Sequence, residues 1–182
     1  MYPLPALGRD AEAVQQMQKA TEMFPNVPVV ESYFHDVRGE RFLVKGMLDE
    51  AVADFIVGYD VNFATGGGAE AIGALTGAYS ASGIKGFWQK ELDLAIAHYQ
   101  MDVELAARQS PGRYVTPYKL ATLYARTGDT ERAFALLEDS YNHRDENLLR
   151  VKPESMRPGS PWHSLTADPR LVQMIGRLGL GG

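Results

Sequence analysis

The sequence contains no cysteine, which excludes disulfides, thiolate metal sites and cysteine nucleophiles. This absence fits a reducing compartment, and we expect a cytoplasmic protein. No apolar run approaches the roughly 20 residues that a membrane span requires, so we expect no membrane association. The first residues, MYPLPALGRDAEAV, have neither the basic nor the apolar region of a signal peptide.

Motifs for catalysis are also missing. The four histidines are never four residues apart, and there is no H-E-x-x-H or G-x-S-x-G sequence. The dipeptide His35-Asp36 occurs in metal phosphohydrolases, but the further His and Asp ligands that those enzymes need are not apparent. The sequence therefore predicts no enzymatic activity, no metal and no cofactor.

Nucleic-acid binding has little support in the charge distribution. The net charge is −5. Residues 1–107 carry 7 Lys or Arg against 15 Asp or Glu, whereas residues 108–182 carry 11 against 8. Phosphate binding needs clustered positive charge, and the mild basic excess in the second half is interleaved with acids. We expect no direct contact with nucleic acid.

One glycine-rich stretch, FATGGGAEAIGA from Phe63 to Ala74, loosely fits a phosphate-binding G-x-G-x-x-G/A loop. A dinucleotide fingerprint would require a strand before it. The preceding residues instead place apolar or small side chains at helical spacing, and no Gly-Lys-Ser/Thr follows as in a P-loop. The stretch is predicted to be a joint between two helices.

The remaining pattern is helical and repeats itself. Three glycines are followed by small or apolar residues 5, 9 and 12 positions later in the sequence (written +5, +9 and +12). A fourth glycine, Gly83, fits this pattern at +9 and +12 but has Trp88 at +5. The matching sets are Gly8 with Ala13, Met17 and Ala20; Gly46 with Ala51, Phe55 and Gly58; and Gly128 with Ala133, Leu137 and Ser140. Before Gly46 and Gly128, small residues lie at −7 (Gly39 and Ala121) and aromatic residues at −4 (Phe42 and Tyr124).

These residues resemble the tetratricopeptide repeat (TPR), in which small residues let two helices approach and a glycine ends the first helix. From Gly112 onward the chain looks like the C-terminal end of TPR arrays in bacterial signalling and transcription-regulator proteins, although PESMRPGSPWHS departs from that group. The resemblance implies an all-α fold, an α-α superhelix of antiparallel helix pairs with a C-terminal capping helix. For that cap, Asp168 is the predicted N-cap, Pro169 the first helical residue and Gly179 the residue past the end.

We expect a single domain over residues 1–182. Its predicted parts are a half repeat at 7–25, repeats at about 28–62, 69–108 and 114–143, and a C-terminal loop with the capping helix at 144–182. The half repeat leaves one apolar side of a predicted helix, Asp10–Met23, without a preceding partner helix. This arrangement favours either a fragment of a larger protein or a homodimer through that side.

The resemblance also implies where a partner would bind. The first helix of each pair lines a concave surface. We use the term groove positions for Tyr33, Asp36, Glu40, Leu43, Glu70, Tyr118, Thr122 and Arg126. Asp36 and Glu40 favour a protein or peptide with some basic character, anchored on Tyr33 and Tyr118.

Two tryptophans are further candidates. Trp88 replaces a small residue of the repeat, and Trp162 lies in a proline-rich loop. Either is predicted to be an exposed contact for a partner if it turns outward, or part of the core if it does not. The leading hypothesis is a non-catalytic protein-interaction module. The alternatives are an accessory domain of a larger bacterial enzyme or transcription regulator, and a self-associating module.

Overall fold

A computed structural model describes residues 10–24, 27–62 and 68–180 of the chain. All regular structure in this part of the chain is helical, as the sequence predicts. Eight α-helices are described, together with short 3₁₀ turns at Glu146–Arg150 and His163–Leu165. The helices are α1 Asp10–Met23, α2 Pro28–Val44, α3 Leu48–Asn62, α4 Gly68–Gln109, α5 Tyr118–Thr127, α6 Thr130–Asn142, α7 Val151–Ser155 and α8 Pro169–Arg177.

The chain divides into two compact units. The N-terminal unit runs to Phe87 and also contains the short segment Met156–Ser160. The C-terminal unit contains Trp88–Ser155 and the chain from Pro161 onward. A stack of helix pairs is itself made of locally compact pieces, so the division into two units does not decide whether the chain is one domain. The single domain expected from the sequence stays a prediction.

In the N-terminal unit, α2 packs against α3 around residues that the repeat pattern singles out. Gly46 has a φ of +74°, the left-handed conformation in which glycine ends a helix without strain. Ala51 is completely buried, and Phe55 is 6% exposed. Gly39 lies so close to Phe55 that a β-carbon on Gly39 would be 2.6 Å from its ring. The small residues therefore allow the two helices to approach.

Helix α4 is broken at Gly83, which has φ +63° and ψ −155°. A β-carbon on Gly86 would lie 2.5 Å from the backbone oxygen of Ala78. In an unbroken helix, Ala78 and Gly86 would be about 12 Å apart along the axis, because they are separated by eight residues. Their close approach shows that the chain turns back on itself at Gly83. The break lies at the glycine that the repeat pattern places between two helices.

The C-terminal unit contains a second pair of packed helices, α5 and α6. Gly128, between them, has a φ of +90°. Ala121, Ala133 and Leu137 are all completely buried. Trp162 lies in the same core, with its ring centroid 6.4 Å from that of Tyr118 and 6.5 Å from that of Phe134.

Helix α8 is capped as predicted. Asp168 accepts a hydrogen bond from the backbone N–H of Arg170, and Pro169 is the first helical residue. Gly179 follows the helix with a φ of +70°. The Arg170 side chain also binds Asp168, and these hydrogen bonds hold the pKa of the Asp168 carboxyl below its usual value. Leu171 and Met174 of α8 are buried in the core of the C-terminal unit.

Two expectations concern residues whose placement is not described. The predicted joint includes Phe63–Gly67, which lie outside the described residues, although α4 does begin at Gly68. The helix Asp10–Met23 forms where expected, but the side chains of Ala13, Val14 and Met17 lie outside the described part. The proposed dimer through this helix therefore stays a prediction. Among the helices described, none combines the length and apolar character of a membrane span.

Candidate interaction site

Five of the predicted groove positions belong to the N-terminal unit. Tyr33, Asp36, Glu40 and Leu43 lie on α2, and Glu70 lies in the first turn of α4. Glu70 is exposed, whereas Tyr33, Asp36 and Leu43 are half-buried and Glu40 is buried. Tyr33 and Glu40 are seven residues apart, which places them on one face of α2 about two turns apart.

A residue from far along the chain joins Tyr33 to Glu40. The Nε of Arg157 donates to the Glu40 carboxylate at 2.5 Å, and Nη1 donates to the Tyr33 hydroxyl at 3.0 Å. The side chains of Arg157 and Glu40 are only 5% and 4% exposed. The guanidinium carbon also lies 5.7 Å from the centroid of the Tyr33 ring. This face of α2 therefore binds an arginine side chain by charge, hydrogen bonding and ring contact.

This contact corrects the role predicted for Glu40. The repeat pattern predicts that Glu40 lies on an open groove surface, where it could bind a basic partner. The structure instead buries it beneath the segment Met156–Ser160, where Arg157 neutralises its charge. No local pattern predicts a pair separated by 117 residues.

The predicted role of Tyr118 as an accessible anchor is also wrong. Tyr118 is 4% exposed and belongs to the core of the C-terminal unit. Its hydroxyl donates to Glu154 at 2.9 Å, and Glu154 also accepts from Arg150 at 3.0 Å. Burial, together with the charge of Glu154, raises the pKa of the Tyr118 hydroxyl well above its usual value. Tyr118 holds the helix pair to the following segment and is not available to a partner.

We expect Tyr118→Phe to destabilise the C-terminal unit by about 1–3 kcal/mol at neutral pH, because a buried hydrogen bond to a charged group is lost. The folded-state pKa of Tyr118 is raised, so its contribution is complete below the unfolded pKa of about 10 and is lost as pH rises beyond it. Urea unfolding followed by tryptophan fluorescence at pH 8 and pH 10.5 measures both effects. The wild type should lose more stability than Tyr118→Phe over this interval. Equal losses would contradict the assignment.

Of the two alternatives stated for Trp88 and Trp162, exposed contact or part of the core, the structure shows the second, because both side chains are buried. Trp88 is 8% exposed, and the guanidinium of Arg126 lies over its ring at 4.3 Å from the centroid. Trp162 is completely buried. Arg126 and Thr122, two more groove positions, are half-buried, and Thr122 donates its hydroxyl proton to the Tyr118 backbone oxygen. The large rings fill the interior of the C-terminal unit because burying them removes extensive apolar area from water.

A second cluster of charged groups links α2 to α3. Arg38 makes a two-point contact with the Asp54 carboxylate, and His35 Nδ1 lies 3.1 Å from the same carboxylate. The hydrogen bond to Asp54 raises the pKa of the Arg38 guanidinium. Asp54 is buried at the helix interface, where its pairing with Arg38 compensates for lost hydration. This cluster fixes the helix pair, and His35 serves in it as a structural partner.

Within the described residues, no group of three or more His, Asp or Glu side chains is arranged to hold a metal ion. Two of the charged pairs, Arg38–Asp54 and Arg157–Glu40, contain a buried carboxylate and contribute to packing. The site with the clearest capacity for recognition is the face of α2 formed by Tyr33 and Glu40. Arg157, which binds this face, lies in the stretch PESMRPGSPWHS, where the sequence departs from the TPR proteins that it otherwise resembles.

Comparisons with known proteins give no match: no family model, curated protein or solved structure is significantly similar to the chain.

Proposed function

We propose that this chain is a non-catalytic protein-interaction module built from helix pairs of the TPR type. Its helices form a superhelix, and a protein or peptide partner binds on the first helix of the pairs. The groove positions that remain accessible at least in part are Tyr33, Asp36, Leu43, Glu70, Thr122 and Arg126. The acidic residues among them favour a partner with basic character.

The observation that carries this proposal is the equivalent burial of repeated positions in two separate helix pairs. Gly46 and Gly128, between the paired helices, are both left-handed. At +5, Ala51 and Ala133 are both completely buried. At +9 follow Phe55 and Leu137, at 6% and 0% exposure. Matching roles at matching spacing support repeat units of one kind, as expected if the sequence repeats reflect repeated structure.

Charge on the accessible face of α2 supports the character of the partner. The same face already binds an arginine side chain of the chain itself. Asp36 on α2 and Glu70 in the first turn of α4 are two further acidic groove positions, and their negative charge would steer a basic segment toward the first helices of the pairs. Packing against α3 gives α2 a fixed backbone on which such a segment could be recognised.

Affinity capture from a lysate of the source cell tests the proposal. The variant Asp36→Asn/Glu70→Lys changes the charge of the groove positions. The matched control, Glu50→Lys/Asp93→Asn, makes the same type of change at exposed positions on the other helices of the pairs. We expect the groove variant to lose a partner that the wild type and the control retain, with circular dichroism showing that all three are folded. Equal capture by all three proteins would contradict the proposed surface.

A further inference from the structure

The segment Met156–Ser160 is bound to α2 as a peptide ligand would be. It belongs to the N-terminal unit, although the chain on both sides of it belongs to the C-terminal unit. Its main anchor is Arg157, whose side chain is 5% exposed and bonds to Glu40 and Tyr33. An arginine with this degree of burial needs a site shaped and charged to receive it.

The backbone of the segment forms a tight turn. The Ser160 N–H donates to the Arg157 carbonyl at 3.1 Å, closing a four-residue turn. Pro158 and Gly159 occupy its central positions, and Gly159 has a φ of +85°. Proline followed by a glycine of positive φ is the pattern of a type II β-turn. The anchor is therefore presented by a turn whose sequence favours its bound shape.

The turn also packs closely against the helix backbone. A β-carbon on Gly159 would lie 2.5 Å from the backbone oxygen of Glu40. Only glycine permits this approach, both for space and for its positive φ. The α2 surface thus selects an arginine followed by Pro-Gly, since the arginine satisfies Glu40 and the glycine lets the turn lie flat on the helix. Lysine lacks the planar fork that can bond to Glu40 and Tyr33 together.

Such a contact is suited to exchange. Burying Glu40 and Arg157 costs hydration free energy that offsets much of their attraction, so the net hold on the segment is modest. Covalent tethering gives the segment an effective concentration of the order of millimolar. A free peptide of the same chemistry must compete with it and will bind weakly while it is in place.

We propose that the face of α2 formed by Tyr33 and Glu40 is a binding site for an Arg-Pro-Gly turn of another protein, and that segment Met156–Ser160 is its internal ligand. This inference rests on the function proposed above and gives it a partner chemistry and a means of regulation. A partner presenting this turn displaces the segment, and partners that lack the arginine or the glycine do not.

Fluorescence anisotropy with a labelled peptide, ESMRPGSP, tests the inference. This peptide has the sequence of residues 154–161. We expect Arg157→Ala, which frees the site, to bind it at least tenfold more tightly than the wild type. Adding Glu40→Gln to Arg157→Ala should abolish this gain. Replacing the peptide's arginine with lysine should weaken binding to Arg157→Ala at least tenfold.

Gly159→Ala provides an independent route to the same open state. It leaves Arg157 and Glu40 unchanged but forces the turn away from α2, and it should also bind the peptide at least tenfold more tightly than the wild type. If a folded Arg157→Ala or Gly159→Ala protein, checked by circular dichroism, binds no more tightly than the wild type, the segment is only a structural strap and the inference is wrong. Retained sensitivity of lysate capture to Asp36→Asn/Glu70→Lys would in that case leave the proposed function standing.

Discussion

Replacing Trp162 with alanine is expected to lower the free energy of unfolding of the C-terminal unit by about 3–5 kcal/mol. The Trp162 side chain is completely buried among aromatic and aliphatic residues of α5, α6 and α8. Its removal leaves a large cavity between Tyr118 and Phe134, and the helices around it can collapse only in part. This loss is a large share of the stability that a unit of this size has.

Urea unfolding measures this loss, and Trp88, in the same unit, remains as the fluorophore. Trp162→Phe, which keeps an aromatic ring at this position, should lose less free energy of unfolding than Trp162→Ala. Met101→Ala is the control, since Met101 is 66% exposed and its removal should change stability by no more than about 0.5 kcal/mol. A Trp162→Ala protein as stable as this control would mean that the loop does not pack into the core.

Replacing Phe55 with alanine is expected to lower the stability of the N-terminal unit by about 3–5 kcal/mol. Phe55 is 6% exposed, lies over Gly39 and packs against Phe87 with ring centroids 6.1 Å apart. Both tryptophans lie in the other unit, so hydrogen exchange read on peptides from α2 and α3 is the suitable measurement. Protection should fall in both helices together and remain in α5 and α6. Unchanged protection of α2 would contradict this packing.

Gly39→Ala tests the same contact from the opposite side. Alanine normally stabilises a helix relative to glycine by about 1 kcal/mol. Here the added carbon would lie 2.6 Å from the Phe55 ring, and such overpacking costs about 1–3 kcal/mol. We therefore expect a net loss of stability, part of which Phe55→Leu should restore in the double variant. A stabilised Gly39→Ala protein would show that α2 and α3 are not held at this distance.

Local chemistry determines the features that the sequence predicts well. Asp168 and Pro169 define the start of α8 because a carboxylate can accept from a free backbone N–H and proline lacks one. Gly46 and Gly128 mark the ends of helices because only glycine adopts positive φ there at little cost. The small residues at fixed offsets from these glycines identify the faces that pack. Each of these signals lies within about a dozen residues.

The interaction site depends instead on contacts between distant residues, and the sequence predicts it poorly. The position of Glu40 in the repeat pattern predicts an exposed acidic residue, and no neighbouring residue in the sequence indicates that Arg157 will cover it. Tyr118 and Trp162 look like binding residues because aromatic side chains serve equally as anchors and as core. Both side chains are buried because of the path that the loop after α6 takes, and the sequence does not predict that path.

Site-specific photo-crosslinking in the source cell tests most directly whether the chain is an interaction module. A photoreactive amino acid is placed at Glu70 and Thr122, one groove position in each unit, and at Ala53 and Ala135 as exposed controls on α3 and α6. We expect covalent adducts to a protein partner from Glu70 and from Thr122, and none from the controls. Adducts from the control positions alone, or from no position, would contradict binding on the first helices of the pairs.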